Sequence, residues 1–103
     1  MKYFLCRLIP PRPSFPLDMT DREAQVMREH VTYWTGLAET GVAIAFGPVA
    51  DPQGTWGLGI LKVNDDAEAV RLTSNDPVMT QALGARYEVL PMPRIVIGKR
   101  LSS

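Results

Sequence analysis

The sequence predicts an α+β fold, in which an antiparallel sheet carries two helices on one of its faces. Three observations support that expectation. Thr20-Asp21-Arg22-Glu23 has the spacing of a capping box, and Gly41 is a glycine stop, so the two bracket one long amphipathic helix. Short runs of aliphatic and aromatic residues, Lys2 to Ile9 and Thr55 to Val63 among them, read as strands. Asp51-Pro52-Gln53-Gly54 has the composition of a tight turn and joins two such runs in antiparallel sense.

The first strand, Lys2 to Ile9, is closed by Pro10-Pro11. Alternation sets Phe4, Cys6 and Leu8 on one face, so Cys6 reads as a small buried hydrophobe. Pro10, Pro11, Pro13 and Pro16 exclude regular structure up to about Asp18. The loop is longer than a tight connection needs, and both a stiff linker and a lid over a site fit it.

On the long helix, Ala24, Met27, Val31, Trp34 and Ala38 define the expected apolar face, opposite Asp21, Gln25, Arg28, Thr32 and Glu39. His30, the single histidine of the chain, falls beside Trp34 at the edge of that stripe. The second strand runs from Val42 to Val49, interrupted by Gly47-Pro48 where a bulge or strand end is expected. After the turn, Gly57 and Gly59 leave one face of the third strand bare, which calls for close packing of a helix.

Asn64 or Asp65 caps a second helix with Ala67, Ala69, Val70 and Leu72 on its apolar side, broken at Thr73-Ser74-Asn75. Asp76-Pro77 restarts a short helical turn that Val78, Ala82 and Leu83 pack down and Gly84 ends. Tyr87 to Leu90 and Ile95 to Ile97 complete the strands, split by Pro91-Met92-Pro93. The resulting order is the split βαβ arrangement of a ferredoxin-like βαββαβ subunit, a single domain over residues 1–103. Its second sheet face needs a cover, and the most economical cover is another copy of the same sheet, giving a homodimeric barrel.

Composition narrows the function. The 11 basic and 11 acidic residues balance and form no stripe, which argues against nucleic acid. Apolar runs break within about ten residues, well short of a membrane span. The start, Met1 to Arg7, is not read as a targeting segment because Arg7 and the prolines interrupt it. With a lone cysteine as well, a cytoplasmic protein is expected.

The chemistry centres on His30. An imidazole with a carboxylate on one ring nitrogen has its tautomer fixed and offers the other nitrogen for proton transfer near neutrality. Asp76 is the candidate partner, and it also reads as the cap of the turn at Pro77. The two roles can coexist, since one carboxylate oxygen serves each. No metal site is expected, because His30 has no Asp, Glu or Cys at ligand spacing. No phosphate-binding glycine loop is present, and Ser14, Ser74, Ser102 and Ser103 lie in no nucleophile motif. Arg28 reads as a solvated arginine or as an aid to an anionic substrate.

With His30, Tyr33, Leu37, Gly41, Gly47-Pro48, Gly54, Gly57 and Asp76-Pro77 placed, the chain resembles the YCII-related domain family along nearly its whole length. The resemblance implies a dimeric α+β barrel of ferredoxin-like subunits, similar in shape to muconolactone isomerase and small monooxygenases. It also implies a pocket with a histidine and aspartate pair, here His30 and Asp76; one branch of the family removes chloride from a chlorinated hydroxyquinol. Trp34, Arg28, Gly47 and Pro48 are the candidate substrate-binding residues. The expected activity is cofactor-independent acid/base chemistry of lyase, isomerase or hydrolase type on a small aromatic or anionic molecule. A non-catalytic ligand- or partner-binding module on the same fold is the alternative.

Overall fold

A computed structural model describes residues 1–99, so Ser102 and Ser103 lie outside the described residues. Eight elements follow in order: β1 (Lys2–Ile9), α1 (Phe15–Asp18), α2 (Asp21–Glu39), β2 (Ala43–Val49), β3 (Trp56–Val63), α3 (Asp66–Ser74), α4 (Pro77–Thr80) and β4 (Arg86–Met92). The four strands form one sheet in the order β2-β3-β1-β4, with every neighbouring pair antiparallel. This is the predicted ferredoxin-like α+β arrangement.

The start of α2 is fixed by the expected capping box. Glu23 N–H donates to the Thr20 hydroxyl at 3.1 Å, and Thr20 N–H donates to Glu23 Oε1 at 2.9 Å. Gly41, at φ +80°, turns the chain into β2 in a conformation that a side chain would strain. Asp65 caps α3 through Glu68 N–H, and Asp76 caps α4 through Val78 N–H.

Phe4, Cys6 and Leu8 on β1 and Leu61 and Val63 on β3 face the helices and are buried. One core cluster gathers Trp34, Ala43 and Ala69 around Phe4, Cys6, Leu61 and Val63. A second joins Leu8, Phe15, Val26, Val78 and Leu83. Gly59 sits directly beneath Trp34: a Cβ there would overlap the Cη2 and Cζ3 edge of the indole. The bare strand face thus has the close helix packing expected of it.

Four expectations need correction. The proline loop contains the short helix α1, because Pro16 falls in its first turn, where a missing N–H does no harm. The inward stripe of α2 is Val26, Met27, His30, Tyr33, Trp34 and Leu37, whereas Val31 and Ala38 are exposed. The helix is therefore turned by roughly one position, about 100°, and His30 lies inside the stripe. β2 runs unbroken through Gly47-Pro48, and its irregularity lies between Ala43 and Ala45. As an edge strand it tolerates the proline. Finally, β4 continues through Pro91 to Met92, also on an edge, and Ile95–Ile97 forms no strand.

Candidate active site

α2 contributes His30 and Trp34, the cap of α4 contributes Asp76, and β4 contributes Tyr87. Each is placed by local chemistry. Proline at the first position of α4 and the Val78 N–H bond to Asp76 Oδ1, 3.1 Å, fix the aspartate backbone and one carboxylate oxygen. The second oxygen then points at α2. Arg22 Nη2 donates to the Gln81 carbonyl at 2.7 Å and Gln81 Nε2 to Glu29 Oε1 at 2.7 Å, so α4 is tied to α2 on both sides of the contact.

Asp76 Oδ2 collects three side-chain partners: His30 Nδ1 at 2.7 Å, Trp34 Nε1 at 2.9 Å and the Tyr87 hydroxyl at 2.5 Å. The Trp34 N–H also reaches the Tyr87 oxygen, at 3.0 Å. Asp76 has no solvent exposure. Burial is the largest influence on its carboxyl and pushes it upward. The His30 hydrogen bond and charge, followed by the Tyr87 and Val78 bonds, outweigh burial and hold the group below its ordinary value. Asp76 is thus an anion that only accepts. In the neutral ring, therefore, His30 carries its proton on Nδ1 and Nε2 is the lone pair. Burial first, then the Asp76 charge, holds Tyr87 far above the usual phenol range, so its hydroxyl stays a donor.

A cavity of about 260 Å³ opens against this group, lined by members of both core clusters. His30, Trp34, Tyr87, Gly47, Pro48 and Gly59 all contribute to its wall. Phe15, Pro16 and Met19 close one side. They are held there by Arg12, whose Nη1 and Nη2 fork onto Glu23 at 2.9 and 2.8 Å while its Nε donates to Asp18 at 2.9 Å. Hydrogen bonding from Arg12, then from the Thr20 N–H, lowers the Glu23 carboxyl to about 2. Cys6 lies in the cavity floor, and burial pushes its thiol up to about 12, so it is the inert form of the group.

Of the residues proposed from sequence, His30, Asp76, Trp34, Gly47 and Pro48 come together at this cavity. Arg28 does not: it is exposed and donates to Gln25 at 2.6 Å. Tyr87 was not anticipated. The signal for it was its place two residues before Val89 on the alternation of β4, the phase that faces the helices. Among the described residues, no group of three or more His, Cys, Asp or Glu side chains is placed to hold a metal ion. No helix among them is long and apolar enough to cross a membrane.

Fold and site together define a small α+β domain whose apolar pocket is served by one imidazole backed by a buried carboxylate. The chain belongs to the YCII-related domain family, whose sequence model matches residues 1–93. No curated protein matches the chain.

Proposed function

We propose that this chain is an enzyme that moves a proton on a small molecule bound in the cavity, without a cofactor, in a reaction of lyase, isomerase or hydrolase type. His30 Nε2 takes or gives the proton. Asp76 holds the ring in one tautomer and stabilises the imidazolium that forms. Trp34 and Tyr87 position Asp76, and Gly47 and Pro48 shape part of the cavity wall. The observation that carries this reading is the 2.7 Å contact between His30 Nδ1 and the buried Asp76, which leaves the other ring nitrogen for the cavity. The working form is a homodimer joined through the uncovered sheet face, and the setting is the cytoplasm, in keeping with the single free cysteine.

Solvent deuterium exchange tests the proton transfer directly. A panel of small enolisable aromatic ketones is incubated in heavy water and followed by NMR. The parent protein should label the carbon next to the carbonyl, and His30→Asn should not. Labelling that survives in His30→Asn would move the chemistry elsewhere. One observation favours the alternative, a binding module: among the described residues, no lysine or arginine lines the cavity to stabilise a developing anion. Compounds that bind beside His30 and never exchange would support that reading.

A further inference from the structure

The cavity wall offers very little polarity, and the polarity it has is of one kind. Tyr87 spends its hydrogen on Asp76, and Trp34 divides its own between Asp76 and the Tyr87 oxygen. Thr55 is a neutral hydroxyl on the wall, and the remaining lining residues are aliphatic, aromatic, methionine, proline, glycine or the buried Cys6. Among the described residues, no lysine or arginine lines it. The Asp76 anion stands directly behind the His30 ring. In the neutral ring, with Nδ1–H pointing at Asp76, His30 Nε2 is an acceptor.

We infer that the pocket selects an uncharged, largely apolar molecule that donates one hydroxyl or equivalent proton to His30 Nε2, and that it rejects carboxylates and phosphates. This rests on the reading of the cavity as the ligand site and adds the charge and polarity of the ligand. A carboxylate would bring an acceptor to an acceptor, lose its hydration in an apolar wall and face a buried anion without a compensating cation. A donor, in contrast, satisfies the lone pair and leaves no buried polar group unpaired. The volume, about 260 Å³, is just under the roughly 300–1,000 Å³ of drug-sized sites and suits a single substituted ring.

Three matched probes separate the terms: p-cresol, 4-methylanisole and 4-methylbenzoate, titrated at pH 8 with affinity read by NMR shifts and by quenching of tryptophan fluorescence. We expect p-cresol to bind about tenfold more tightly than either of the others. In His30→Phe the preference of cresol over anisole should vanish while anisole still binds. Equal affinity for cresol and anisole in the parent protein, or benzoate binding as tightly as cresol, would overturn the inference and leave the pocket reading standing. Failure of all three to bind would remove the pocket reading itself, and the inference with it. If His30→Phe does not fold, the ratios in the parent protein decide alone.

Discussion

Four donors converge on the Asp76 carboxylate: His30, Trp34 and Tyr87 on one oxygen and the Val78 amide on the other. A buried anion with that many partners makes stability depend on pH in a direction that can be worked out. The folded carboxyl lies below its ordinary value, which is about 3.9 in an unfolded chain, so the unfolded state takes the proton first as pH falls. The stabilisation is complete above the unfolded value and is lost as pH falls through the folded one. Asp76→Asn should therefore be less stable than the parent by about 3 kcal/mol at pH 7, with the gap shrinking below about pH 4. Thermal unfolding at pH 7 and pH 3 checks this, and an equal gap at both would mean that the donors do not hold a charge. The pairing of His30 with Asp76 was legible because an aspartate before proline and a lone histidine both leave local marks. Tyr87 leaves only its phase on β4, which gives the face it joins but not the carboxylate it meets there.

Two glycines show how packing, rather than composition, decides what an element tolerates. Gly59 in β3 lies under the Trp34 ring, where a methyl group has no room, and Trp34 is pinned by its hydrogen bonds to Asp76 and Tyr87. Gly36 in α2 has open space where its Cβ would stand. We expect Gly59→Ala to destabilise by about 1–3 kcal/mol and Gly36→Ala to stabilise by about 0.5–1 kcal/mol. Urea unfolding of both variants reads the difference, and a neutral Gly59→Ala would show that the indole can shift. Most element ends were legible to within a residue or two, because capping residues, glycines and prolines mark them; α1 was not, nor was the end of α4, which stops at Thr80 and not at the expected Gly84. Which side of α2 faces inward was less so. Val26, Met27, Val31, Tyr33, Trp34, Leu37 and Ala38 spread apolar surface over nearly half of the helix circumference, and only the sheet beneath chooses its centre.

For the whole molecule, the deciding feature is the sheet face that no helix covers. Across it runs the row Ala45, Ile60, Leu5 and Leu90, one residue from each strand in register, and Leu90 is 49 % exposed. In the next row Arg7, opposite Leu58 and Glu88, stacks on Trp56 at 4.6 Å while its Nε is buried without a hydrogen-bond partner among the described residues. Four strands about 4.8 Å apart and seven residues long give a face of roughly 400 Å² in projection, which the apolar rows share with Arg7, Lys62 and Glu88. A second copy laid on this face, as proposed above, would bury the apolar rows on both sides. Light scattering at micromolar concentration should give twice the chain mass. Ile60→Lys places a charge in the middle of the row and should give a monomer with an unchanged circular dichroism spectrum, because its side chain faces away from the helices. A parent protein of single chain mass would leave the face to another partner, and a dimer that survives Ile60→Lys would have to be joined through a different surface.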